Sequence, residues 1–128
     1  MSYRGITGAG IAVAAMIALA VVFSTRLGAR EAAAPQTFVL TAKGIRFNEV
    51  NPTLEVRRGV PIEITIRNDE PGPILHDFVV VGLHARTPAF LRPGESAVVR
   101  FTPTHTGAFA YVCSLHPGMM DGRLTVRP

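Results

Sequence analysis

From Thr37 onward the apolar residues of this chain recur at every second position in short runs, and clusters of Pro, Gly and Asn cut each run before it reaches helical length. Ile62, Ile64 and Ile66 alternate with Glu63, Thr65 and Arg67, the pattern of a half-buried strand. Thr37–Ala42 and Leu54–Val56 precede it as strand candidates, with apolar Ile45 and Phe47 between them. Ile74–Gly82 has almost no polar face after Asp77, as expected of a central strand. Arg92-Pro-Gly-Glu95 is a turn by dipeptide chemistry. Ala97, Val99 and Phe101 then share one face, as do Phe109, Tyr111 and Cys113, and finally Leu124 and Val126. Seven or so short strands at regular turn spacing, without helix-period runs, predict an all-β fold: an antiparallel Greek-key β-sandwich over residues 37–128.

The first part of the chain follows different rules. Gly5–Thr25 carries no charge. As a helix it would rise about 32 Å, enough for the roughly 30 Å hydrocarbon core of a bilayer. A cleavable signal has a shorter apolar core and a small-residue cleavage site, and Pro35 disfavours cleavage after Ala32-Ala33-Ala34. Residues 1–25 are therefore expected to be an N-terminal transmembrane anchor or signal helix, with 26–36 as a linker. Arg4 on one flank and Arg26 and Arg30 on the other leave orientation open by charge alone.

Charge excludes one class of partner. From Gln36 onward ten Lys and Arg face eight Asp and Glu, so much of the formal +4 belongs to the flanks of the apolar segment. No basic and aromatic residues interleave into a binding strip, so nucleic-acid binding is discarded.

The chemistry concentrates near the C-terminus. Cys113-Ser-Leu-His116-Pro-Gly-Met119-Met120 places a thiol, an imidazole and thioethers in one loop after a strand. The single cysteine cannot form an intramolecular disulfide, and metal ligation is the alternative for a lone thiol in an exported protein. Soft sulfur with imidazole nitrogen is a copper set, and a His₂Cys site with a weak axial Met serves both Cu(I) and Cu(II). His76, opening the apolar run Asp77–Gly82, is the best candidate for the second imidazole. His84 and His105 lie in turn-like contexts and are taken as surface residues. A binuclear copper centre is excluded, since its bridging cysteine pair cannot come from one cysteine.

These features resemble the cupredoxins, the small blue copper proteins that include plastocyanin and amicyanin. The likeness rests on His76 before an acid-or-amide position, the Pro93-Gly-Glu95 turn, the Thr106-Gly-x-Phe-x-Tyr-x-Cys113 strand, the Cys113-x2-His116-Pro117 loop and the Gly122-Arg-Leu-Thr-Val126 final strand. It implies one type 1 copper ion held by His76, Cys113, His116 and an axial methionine. Met119 has the Cys-x2-His-x2-Met spacing of the short loop, whereas Met120 has the Met-x-Gly register of entry into the last strand; Met119 is preferred and Met120 is the alternative. Asp77 stands where the family commonly has Asn, and could accept from Ser114 or turn to solvent.

The resemblance further implies a monomeric, non-enzymatic carrier of single electrons between transient redox protein partners. The expected location is periplasmic or otherwise extracytoplasmic, tethered to the inner membrane by the N-terminal helix. Copper binding or delivery without electron transfer is the alternative.

Overall fold

The computed structural model describes residues 31–128, so the expected anchor of residues 1–25 lies outside the described residues. Among the described residues no helix is long and apolar enough to cross a membrane. Two sheets account for the order. The first has the strand order β1 (Gln36–Ala42), β3 (Ile62–Asn68), β6 (Ser96–Phe101). The second runs β2 (Leu54–Arg57), β8 (Asp121–Arg127), β7 (Gly107–Val112), β4 (Val79–Val80), β5 (Ala85–Arg86).

Each strand buries the face its alternation predicts. Leu40, Ile62, Ile64, Ile66 and Val99 form the inner face of one sheet; Leu54, Val56, Tyr111, Leu124 and Val126 form that of the other. Phe47, Phe78 and Tyr111 pack at the core with ring centroids 5.2–5.7 Å apart. Offset and edge contacts of this kind add about 0.5–1.5 kcal/mol per pair beyond area burial.

Two expectations are corrected. The sandwich is mixed rather than antiparallel, because β1 pairs with β3, and β2 with β8, in parallel. The chain leaves the first sheet after β1, contributes β2 to the second and returns as β3, a crossover that brings β1 and β3 alongside in the same direction. The second correction concerns Ile74–Gly82, which is not one continuous central strand. Only Val79–Val80 joins the ladder, beside the edge strand β5. His76 makes an isolated bridge to Leu91, and the Phe78 N–H donates to Thr87 Oγ1 at 3.2 Å. The buried polar pair His76 and Asp77 occupies this break.

Gly122 explains how the large Tyr111 ring fits at the base of the ligand loop. The two residues face each other across β7 and β8, and a Cβ on Gly122 would overlap the phenol ring. The missing side chain lets the ring lie over the strand and its hydroxyl donate to the Pro52 carbonyl at 2.5 Å. Gly122→Ala is expected to lower unfolding free energy by about 1–3 kcal/mol, the usual cost of overpacking. Tyr111→Phe should cost about 1 kcal/mol, a single hydrogen bond. Denaturant titration of both variants checks the order, and equal losses would mean that the ring does not depend on the glycine.

Candidate metal centre

The ligand loop is closed at its base by the pairing of β7 with β8. Beyond the last ladder pair, Val112 with Asp121, the Cys113 N–H donates to the Met120 carbonyl at 3.1 Å. Cys113 and Met120 thus face each other across the neck and point to the same side, the interior. Between them the chain turns tightly: the His116 N–H donates to Cys113 O at 3.2 Å, and the Met119 N–H to His116 O at 3.2 Å.

The second ligand segment arrives from the break before β4. His76 exchanges backbone hydrogen bonds with Leu91, 3.1 Å as donor and 2.7 Å as acceptor. Buried Asn68, at the end of β3, donates to both Ile74 O and Leu91 O at 2.8 and 2.9 Å. These bonds fix the backbone of His76 on both sides.

His76, Cys113 and His116 meet. Their ligand atoms all lie within 4.8 Å of one another. Cys113 Sγ is 3.8 Å from His76 Nδ1 and 3.4 Å from His116 Nδ1, and the imidazole centroids are 4.9 Å apart. Burial pushes the Cys113 thiol up, against a smaller downward pull from the backbone amides of Asp77 and Leu115. A bound metal ion would displace its proton. Burial and then the His76 ring depress the His116 imidazole, which favours its neutral, ligating form.

Burial separates the two methionines and favours Met120, the alternative by spacing, over Met119. Met119 is 53% exposed, whereas Met120 is 0% exposed. Strand alternation is the reason: Met120 continues the inward phase of Gly122, Leu124 and Val126, so its neighbour faces outward. His84 and His105 are exposed and outside the cluster.

Asp77 turns inward. Its two oxygens accept from the Ser114 N–H at 2.7 Å and the Ser114 hydroxyl at 2.6 Å, which clips the His76 segment to the Cys113 loop. The sequence offered this contact as one of two outcomes, with solvent as the other.

One site residue escaped sequence reasoning. Glu70, in the breaker cluster Asn68–Pro73, is buried, and its Oε1 lies 3.0 Å from His76 Nε2. The same oxygen accepts from the Ile45 N–H at 2.8 Å. Burial pushes the Glu70 carboxyl up, but the Ile45 amide and the His76 ring together pull it further down, below its ordinary value. Its only sequence signal was an acid shortly before the candidate histidine, and in a turn such a residue normally reads as solvated.

One thiol and two imidazole nitrogens, mutually facing and largely buried, with a buried thioether at the neck, fit a type 1 copper ion. Known proteins agree. The family model described as "Cupredoxin-like domain" matches residues 12–126. A copper-containing nitrite reductase of Rhizobium sullae is 31% identical over 101 residues, which cover 68% of this chain but 26% of that protein. This chain thus spans about a quarter of that relative's length. Among solved structures, auracyanin A, a "blue" copper protein of Chloroflexus aurantiacus, superposes with a TM-score of 0.63 at 20% identity, covering 73% of this chain and 100% of that one. The metal-binding domain of the Streptococcus pneumoniae Cu(I)-exporting P-type ATPase CopA gives a TM-score of 0.60 at 22% identity, covering 73% and 87%. At such identities the structural likenesses show the fold alone. With the family match across most of the chain and the His76, Cys113 and His116 cluster in place, the chain belongs to the cupredoxins, and its metal is copper.

Proposed function

We propose that this protein is an exported one-electron carrier whose type 1 copper site is formed by His76, Cys113, His116 and Met120. The observation that carries the reading is the preformed cluster: the three donor side chains face one another while each is fixed by the backbone or by neighbours. Bound copper supplies a one-electron couple, and a site that changes little between oxidation states suits such a role. Three strong ligands and an axial thioether leave no open position for a substrate, in contrast to catalytic metal sites, and this supports a carrier over an enzyme.

Access to the site is on the His116 side. His116 is half-buried whereas His76 is fully buried, so the His116 ring is the route by which electrons enter and leave. Exposed Leu75, Leu115 and Met119 flank the two ligand segments in sequence, together with exposed Pro73 and Pro117. This apolar rim suits brief docking of redox protein partners over an interface below about 1,200 Å². The N-terminal segment Gly5–Thr25 supports export and tethering to the inner membrane, with the copper domain as an extracytoplasmic monomer.

Copper delivery is the second reading, favoured by the exposed thioether of Met119 two residues before the last strand. Voltammetry of the copper-loaded protein separates the two. A carrier gives a reversible one-electron wave that persists through repeated cycles without metal loss. Copper lost to a soft chelator on each reduction would overturn the carrier reading in favour of delivery.

A further inference from the structure

The loop between β1 and β2 is unusual in its backbone. Ile45, Asn48, Glu49 and Asn51 all have positive φ, at 54°, 44°, 66° and 50°. Asn tolerates this region, but a β-branched isoleucine does not, and such a residue costs on the order of 1–3 kcal/mol. The conformation persists only where the surroundings fix it. Here its hydrogen bonds run directly to the ligand loop and, through Glu70, to the His76 ring.

On one side the strained Ile45 directs its amide to Glu70 Oε1 at 2.8 Å, and that oxygen meets His76 Nε2 at 3.0 Å. Glu70 is itself turned inward by the Asn68 side chain, whose Oδ1 accepts the Glu70 N–H at 3.0 Å. On the other side Asn51 Nδ2 donates to the Met119 carbonyl at 2.9 Å, while Asn51 Oδ1 accepts the Phe47 N–H at 2.8 Å. Phe47 is in the core, so the loop is anchored at its middle and reaches outward with both ends.

We propose that the loop Gly44–Asn51 and Glu70 form a bracket around the copper site, with Glu70 as the positioning residue that fixes which ring nitrogen His76 presents and thereby slows metal release. This rests on the reading of His76 as a copper ligand. The chemistry is direct. A carboxylate acceptor on Nε2 requires the proton there, which leaves the Nδ1 lone pair free, and Nδ1 is the nitrogen that faces Cys113 Sγ. The anionic acceptor also makes the imidazole a stronger donor to the oxidised ion. The Asn51 arm holds the Met119 carbonyl, one residue from the neck formed by Cys113 and Met120, so the ligand loop cannot lift freely. A site held from both segments keeps its metal, as a carrier needs and a delivery protein does not.

Variants at Glu70 and Asn51 test this. In Glu70→Gln an amide oxygen still accepts from Nε2 but the charge is gone; in Glu70→Ala no acceptor remains. Asn51→Asp keeps the acceptor for Phe47 and removes the donor to Met119. Copper release from the Cu(I) protein to a chelator should be about 10–100-fold faster in Glu70→Ala, the usual range for the loss of such a partner. Glu70→Gln should rescue most of that rate while raising the reduction potential, and Asn51→Asp should speed release with no change in the His76 nitrogens. Nitrogen NMR of Cu(I)-loaded wild type should show a metal-shifted His76 Nδ1 and a protonated Nε2 that exchanges slowly with water. If these wild-type signals are present but release from Glu70→Ala is within twofold of wild type, the bracket is wrong and the copper site stands. If the His76 nitrogens do not respond to copper at all, the ligand assignment fails and the bracket with it.

Discussion

Cys113→Ser is expected to abolish the intense visible absorption of the Cu(II)-loaded protein while leaving the metal-free domain folded. The band arises from charge transfer between thiolate sulfur and copper, and Cys113 is the only cysteine of the chain. Serine has nearly the same shape, and the buried hydroxyl finds an acceptor in His116 Nδ1, which already lies 3.4 Å from the sulfur. The metal-free variant should therefore lose no more than about 1–3 kcal/mol, the range for a polar group buried with imperfect pairing. Copper affinity should fall by more than the roughly 10–100-fold that follows loss of a supporting partner, because a direct ligand is gone. A hydroxyl is also far harder to deprotonate than a thiol, so the oxygen does not substitute for sulfur on Cu(I). Absorption and chelator competition on the two proteins check this. An equally coloured Cys113→Ser protein would remove sulfur from the site.

The sequence carried the sandwich because its strands are half-buried, and half-burial imposes a period of two that Ile62–Ile66 and Leu124–Val126 display directly. Pairing partners are another matter. Period two says which face a residue takes, not which strand lies beside it, so the parallel pairs β1–β3 and β2–β8 were illegible. Ile74–Gly82 misled for a related reason: an unbroken apolar run reads as a central strand, although His76 and Asp77 interrupt its ladder to reach the ligand loop. Cys113 and His116 were legible because a thiol and an imidazole share one short loop, and His76 because that set calls for a second imidazole, which the fold brings in from 37 positions away. Glu70 was not, since its contact with His76 depends on burial, and this acid of a Pro-rich turn is held inward by the Asn68 side chain and the Ile45 amide of a distant loop.

The two adjacent methionines give the sharpest separation of packing from ligation. Met120→Leu is expected to raise the reduction potential and change the visible spectrum, while Met119→Leu leaves both unaltered. Met120 is fully buried and shares the interior side of the neck with Cys113, whereas Met119 is more than half exposed. Leucine has almost the volume of methionine, so a core replacement at Met120 should cost less than about 1.5 kcal/mol. At Met119 the effect on stability should stay within about 0.5 kcal/mol. The potential then reports ligation nearly free of packing. An axial thioether favours Cu(II) slightly over what an apolar wall allows, so its loss shifts the couple toward Cu(I). A tenfold change in relative affinity for the two states is about 59 mV for one electron, and Met120→Leu should move the potential upward by roughly one to two such steps. Square-wave voltammetry of both variants beside the wild type makes the comparison. A shift confined to Met119→Leu would restore the spacing of the short loop as the guide to the axial ligand and show that strand phase does not choose it. Equal and negligible shifts would mean that neither thioether bonds the metal, leaving Met120 at the neck as packing alone.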